Sequence, residues 1–304
     1  MNWVPLLFID DVCHRLNKPN FNQVTQLSGS WPSYGSEHSH NRREFRFRCE
    51  LNGNQEVSYN LQKIHSHNVT VADLNLEFDR ITSFACGSAS SNNPRVSRRV
   101  NRVSLREFER DILPTIVPVV TNCRWQYLTP QRRDQHRIFC NAFKNCSGFN
   151  DITVQEQGEK SSDFLARQVE LGNVQKLSLS GTGKWREAEK LTETLKIFVS
   201  SARFHELYSS NLLRDDYELF ELFLGRALAK ELKRGALIDT AAGNFDKNRL
   251  LALHPDCRHD SEKDAWRISD SNLRIALRHR ATGILNDLGQ IIMKVEYNVR
   301  IVNI

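Results

Sequence analysis

The chain has 304 residues, of which 39% are hydrophobic and 26% charged, and it carries a net charge of +6 with a pI near 9.0. That apolar content is enough for a sizeable core and excludes a wholly disordered chain, and no run approaches the roughly 18 apolar residues of a membrane-spanning helix. The basic excess is mild for this length and spread over many segments, so it reads as solubility before it reads as a nucleic-acid footprint.

Seven cysteines, an odd number with no Cys-x-x-Cys, do not form the framework of a secreted disulfide-rich domain. Met1 to Asp11 has no basic region ahead of its short apolar run and does not read as a signal peptide. The expectation is an intracellular protein, cytoplasmic or nuclear, with reduced thiols. The length fits one large domain or two.

In chain order, Pro5 suits a first helical turn, and Leu6, Ile9, Val12, Cys13 and Leu16 predict a helix stopped by Pro19. Phe21, Val24 and Leu27 predict a second, short helix ended by Gly29, and Trp31 follows. Phe45, Phe47, Cys49 and Leu51 alternate with Arg46, Arg48 and Glu50, then Asn52-Gly53 supplies a turn and Val57, Tyr59 and Leu61 resume the alternation: a β-hairpin. Phe78, Ile81 and Phe84 hint at a further strand. Residues 86 to 103 are small, polar and then arginine-rich (Arg95, Arg98, Arg99, Arg102), which reads as a linker. Ser104 caps a predicted helix carrying Leu105, Phe108, Ile112 and Leu113, bent or broken by Pro114 and Pro118.

Thr129-Pro130 opens a helix running to about Phe143. Ser162 is positioned to cap a helix ending at Leu171, with Gly172 just past its end. Ala188, Leu191, Leu195, Phe198 and Val199 mark another helix, and Tyr217, Phe220, Phe223, Leu224, Leu228 and Leu232 a longer one. Residues 266–268 and 273–277 flank a polar turn and predict a hairpin. The last stretch mixes helix and strand signals.

One pattern recurs. Phe149 to Val154, Val174 to Leu179 and Phe204 to Ser209 all follow apolar-x-x-apolar-x-apolar, relaxed at Ser209, at starts 25 and then 30 residues apart. Strand and helix alternating at a nearly fixed period predict a stacked αβ array, with unrelated strands of an α/β fold as the alternative. If the copies align, Ile152, Leu177 and Leu207 lie side by side. Asp151, Lys176 and Glu206 then form one row on the opposite face and Thr153, Ser178 and Tyr208 the next, the first being an acid-base-acid ladder. Arrays of this kind mostly bind other macromolecules.

Chemistry is sparse. Gly181-Thr182-Gly183-Lys184 has the setting of a phosphate loop but lacks its first glycine, where Ser178 stands, and its Ser or Thr, where Trp185 stands. His254, Asp256, Cys257 and His259 could in principle ligate zinc, but their spacing is not a standard one. The pairs His38/His40 and His65/His67 read as solvated. No nucleophile elbow, zinc-protease helix or dinucleotide fingerprint occurs. The expectation is a non-enzymatic protein with no catalytic or metal residues and no cofactor.

The opening, Val4-Pro5-x-x-Phe8-Ile9-Asp10-x-Val12 with Leu16, Trp31 and Asn41-Arg42, resembles a large, lineage-expanded group of nematode proteins related to F-box and F-box-associated proteins. The stretch Asp163 to Leu177 resembles the repeat-bearing region of the same group. The resemblance implies docking to a Skp1-like adaptor through Pro5, Ile9, Leu16 and Trp31, and recognition of a substrate for a Skp1-cullin-F-box-type ubiquitin ligase. The repeats also resemble leucine-rich repeats, without that family's Asn, whose positions hold Gln157, Thr182 and Leu212.

The expected fold is therefore α/β, an irregular leucine-rich-repeat-like array preceded by a small helical and hairpin module. Residues 1–62 are expected to form F-box-like helices and the hairpin, 63–103 a connecting segment with the basic linker, 104–280 the repeat-like domain and 281–304 a tail. The array's candidate binding residues are Asp151, Thr153, Lys176, Ser178, Glu206 and Tyr208. Two other readings stand behind protein recognition. One is nucleic-acid binding through the basic linker, which lacks interleaved aromatics; the other is an enzyme with an unrecognised site. No membrane contact is expected.

Overall fold

The computed structural model describes residues 4–16, 18–52, 55–64, 68–86, 100–127, 133–155, 159–180, 188–209, 217–242, 257–260, 265–268, 273–285 and 291–303. The fold is mixed α/β, and the chain divides into two compact units, residues 1–151 and 152–304. The first unit thus contains the expected helical module, the segment 63–103 and the start of the region expected to be the array. Segment 63–103 is not merely connecting, because it supplies a central strand.

The first unit opens with α1 (Leu6–Arg15), preceded by Pro5, whose carbonyl accepts from the amides of Phe8 and Ile9. A 3-10 turn (Lys18–Asn20) and α2 (Phe21–Val24) follow. The helix α3 (Trp31–Asn41) was not legible in the sequence. Ile9, Cys13, Phe21 and Val24 form the core of this module, with Val4, Leu16, Trp31 and Tyr34 packed against it.

The hairpin forms as its alternation predicts. The strands β1 (Glu44–Asn52) and β2 (Glu56–Lys63) pair antiparallel with Phe47 opposite Leu61 and Asn52 opposite Glu56. The short β3 (Asn68–Val69) and β5 (Asn101–Ser104) pair with β2, and β4 (Arg80–Cys86) and β6 (Val120–Tyr127) extend the sheet in parallel from β1. The end of the supposed linker is therefore a strand.

Register explains the core of this unit. Phe47, Phe84 and Trp125 are direct partners across β1, β4 and β6. Their rings run in a row, Phe47 and Phe84 with centroids 5.2 Å apart and Phe84 and Trp125 4.8 Å apart and nearly parallel. Phe143, from α6 (Arg133–Phe143), closes over Phe84 at 4.5 Å. Ser104 caps α4 (Leu105–Glu107) by accepting from the Glu107 amide, as its sequence position predicts. The helical segment continues through Pro114 but changes type along its length. A π turn (Phe108–Ile112) precedes α5 (Leu113–Ile116), where proline occupies a first-turn position and its missing N–H costs little, and a 3-10 turn (Val117–Val119) contains Pro118.

The chain crosses into the second unit within β7 (Phe149–Gln155). There α7 (Glu159–Glu170), β8 (Lys176–Ser180), α8 (Ala188–Ser200), β9 (Glu206–Ser209), α9 (Tyr217–Leu228) and β10 (Leu237–Ala242) alternate. Strand order is β7-β8-β9-β10, and β8, β9 and β10 are mutually parallel with Leu177, Leu207 and Ile238 in register. These three are fully buried, under helices whose inward faces carry Phe164, Leu165, Leu195, Phe198, Phe220 and Phe223. Ser162 lies inside α7 and is buried, so it does not cap; Gly172, with φ of +73°, does end that helix, its amide donating to the Val169 carbonyl.

The remaining strands are β11 (Cys257–Asp260), β12 (Ala265–Ile268), β13 (Leu273–Leu285) and β14 (Ile291–Asn303). They follow β10 antiparallel in the order β14-β13-β12-β11. The predicted hairpin near 266–277 is present, with Trp266 opposite Ile275, and the described residues after Arg280 belong to β13 and β14. Cys13, Cys49, Cys86, Cys123, Cys140 and Cys146 are free, buried thiols. No helix among the described residues is long and apolar enough to cross a membrane.

Candidate functional site

Two surfaces gather the candidate residues, one in each unit. In the first unit Ile9 is 1% exposed and packs the module instead of facing a partner, and Leu16 and Trp31 pack around the same core. The solvent face of α1 is instead Leu6, Leu7 and Phe8, at 51%, 84% and 54% exposure, beside the exposed Pro5. Phe8 meets Trp31 edge to face at 6.3 Å, which ties this patch to α3.

Beneath the patch a polar cluster fixes α1. His38, read from sequence as solvated, is 1% exposed. Its Nε2 lies 2.8 Å from an Asp10 carboxylate oxygen and its Nδ1 3.4 Å from an Arg42 Nη2. Arginine only donates, so Nδ1 accepts and the proton sits on Nε2, donated to Asp10. The other Asp10 oxygen is 3.7 Å from His14. Arg42 also donates to the carbonyl of Cys13 at 2.7 Å and to that of Leu16 at 3.3 Å, and Arg80 donates to that of His14 at 3.0 Å. Two buried guanidiniums thus satisfy the open carbonyls at the C-terminus of α1 and oppose its dipole. Burial pushes both below the ordinary arginine range, Arg80 to about 10 against the pull of Asp10. Both stay charged at neutral pH.

In the second unit the face of β8 and β9 opposite Leu177, Leu179 and Leu207 carries the predicted residues. Lys176 is the direct partner of Glu206 and Ser178 of Tyr208, all half-buried. Lys176 Nζ lies 2.5 Å from Glu206 Oε1, and His205 Nδ1 lies 3.0 Å from the same oxygen. Burial raises the Glu206 pKa, but the Lys176 bond, a Tyr208 hydrogen bond and the charge of His205 outweigh it, leaving the carboxyl below the usual range. Asp239, on β10, is the partner of Tyr208. Thr153 is half-buried on β7, and Asp151 forms an ion pair with Arg124 at 3.2 Å. The lateral pair is therefore Lys176–Glu206, extended to His205 and Tyr208, while the Asp151 carboxylate is engaged by an arginine that sequence reasoning did not pair with it.

The strand β10 was missed in sequence. Gly235 to Thr240 repeats the pattern with glycine and threonine in two apolar positions, so only Ile238 carried the signal, and Ile238 aligns with Leu207. Of the weaker chemical candidates, residues 181–184, His65, His67, His254 and Asp256 lie outside the described residues, as do Arg95, Arg98, Arg99 and Thr129-Pro130. Arg102 stands on β5 near Glu56, at 3.8 Å. Among the described residues no group of three or more His, Cys, Asp or Glu side chains is arranged to hold a metal ion. Compared with known proteins, the chain matches no protein-family model, no curated protein and no solved structure.

Proposed function

We propose that this is a non-enzymatic protein-recognition molecule, the substrate-recognition component of a Skp1-cullin-F-box-type ubiquitin ligase. In this reading the amino-terminal helices dock a Skp1-like adaptor, and the strand face of the leucine-rich-repeat-like array meets a substrate. The observation that carries it is the run Leu6-Leu7-Phe8, three consecutive large apolar side chains each at least half exposed. Single exposed leucines are ordinary, but a contiguous exposed patch on a well-anchored helix marks an interaction surface. The Asp10–His38–Arg42 cluster, with His38 and Arg42 buried, supports the same reading, because it holds α1 from below and lowers the ordering cost of docking.

The array supports the substrate half. Its polar residues Lys176, Ser178, Glu206 and Tyr208 are half-exposed and in register across β8 and β9.

The test is co-purification of the whole chain with a Skp1-like adaptor. The adaptor is expected with the native chain and lost with Leu7→Glu or Phe8→Glu, while Leu27→Glu, exposed elsewhere in the module, leaves it bound. Absence of adaptor from the native preparation, or retention by both α1 variants, overturns the ligase reading.

A further inference from the structure

The sheet of the first unit has an open face as well as its aromatic one, and the two differ by register alone. Alternation along β1 puts Glu44, Arg46, Arg48 and Glu50 on the open side, away from Phe45, Phe47 and Cys49. Arg46 is the partner of Gln62 on β2 and of Ser83 on β4; Arg48 is the partner of Asn60 and of Ala85. Beyond Ser83 lies Arg124, and beyond Ser58 lies Arg102. The floor around the two central arginines is therefore small or amide-bearing side chains that leave the guanidiniums proud.

The four arginines of this face are not alike. Arg124 is held by Asp151, and Arg102 lies near Glu56. Arg46 and Arg48 are exposed, and among the described residues neither has a hydrogen bond or an ion pair. Glu44 and Glu50 share their face one position beyond at either end and leave them unpaired.

We infer that Arg46 and Arg48 form a docking site for an extended segment of a partner protein, with two carboxylates at alternate positions and basic residues one step outside them. Side chains on one face of a strand repeat at about 6.6 Å, and alternate residues of an extended peptide repeat at the same distance. The face reads acid-base-base-acid along β1, so its complement is base-acid-acid-base, as in Lys-x-Glu-x-Glu-x-Lys. The pattern disfavours a nucleic-acid strand on two grounds. Glu44 and Glu50 repel a continuous polyanion at both ends, and the rings of Phe45, Phe47, Tyr59, Phe84 and Trp125 are buried on the other face, where bases on the arginine face do not reach them. Paired arginines suit carboxylates, each guanidinium offering two parallel donors to one carboxyl group, and the flanking acids set the partner's pattern.

This goes beyond the adaptor reading, since it concerns a different surface and needs no ligase. The experiment is fluorescence anisotropy of the full chain with labelled Lys-Thr-Glu-Thr-Glu-Thr-Lys at low salt. Its comparisons are the charge-inverted peptide Glu-Thr-Lys-Thr-Lys-Thr-Glu and a labelled single-stranded oligonucleotide. The first peptide is expected to bind, and an R46E/R48E variant to bind it about tenfold more weakly, the scale of two lost ion pairs with reversed charge. The milder R46Q/R48Q variant, whose exposed positions leave folding intact, is expected to fall between. Equal binding by native and both variants overturns the site, as does no binding of the first peptide at any concentration reached. Tighter binding of the oligonucleotide or of the inverted peptide overturns the assigned partner chemistry.

Discussion

Truncating Arg42 would leave the carbonyl of Leu16 and His38 Nδ1 without their Arg42 donor, and the carbonyl of Cys13 with only the 3.3 Å bond from the Leu16 amide. Arg42→Met is therefore expected to destabilise the first unit by about 2–3 kcal/mol, read from urea unfolding, because buried acceptors lose a charged donor. Arg42→Lys is not expected to restore it, since one ammonium cannot reach the carbonyls that the guanidinium fork spans. None of this was legible in the sequence. An Arg or His in a polar stretch is ordinarily solvated, and only the crossing of α3 against α1 decides otherwise. What the sequence did carry at this scale was the apolar spacing of Ile9, Cys13, Phe21 and Val24, because hydrophobic residues at helical period require a covered face whatever covers it.

Elements were legible where side-chain period and termination signals agreed. The β1–β2 hairpin had both alternation and a turn dipeptide, and α7 had its C-terminal glycine. Gly172→Ala is expected to cost about 1 kcal/mol, measured by thermal or urea melting, because φ of +73° strains any residue with a Cβ. Of the elements that escaped, three did so for identifiable reasons. The inward side of α3 is glycine and histidine rather than leucine; β6 has Asn122 in a left-handed conformation that breaks its alternation; β10 has glycine and threonine in apolar positions.

The Lys176–Glu206 pair belongs to the same scale, since it joins two strands at matched positions. It is partly exposed and contributes under about 1 kcal/mol. Because the folded carboxyl sits below the ordinary glutamate range, its contribution is complete above that range and fades as pH falls through the folded value. Glu206→Gln is thus expected to unfold at lower urea than native protein at neutral pH, and the two midpoints to converge once the pH has fallen through the depressed value of the folded carboxyl. A difference that persists in acid would assign the effect to packing.

At the scale of the whole chain, the α/β class followed from strand-like patterns separated by helical ones, and the recurring pattern was the strongest signal, its second and third copies lying in register on β8 and β9. The division at residue 151 did not follow. It falls inside a repeated segment, and a sequence period gives no hint of where contacts thin out. The long β13 and β14 likewise lacked a decisive period of their own.

The sulfur atoms offer a probe that reaches across the first unit. Burial pushes the thiols of Cys13, Cys49, Cys86, Cys123, Cys140 and Cys146 upward, Cys146 to about 11, so the reactive anion is scarce at neutral pH and no reagent can touch it in the closed molecule. In a Cys257→Ser background, iodoacetamide should therefore modify each position only as fast as the surrounding structure opens. Mass spectrometry of the adducts would then map opening free energies site by site, with Cys13 expected to react first once Arg42 is replaced. Native protein that alkylates at all six positions as quickly as denatured chain would contradict this interior.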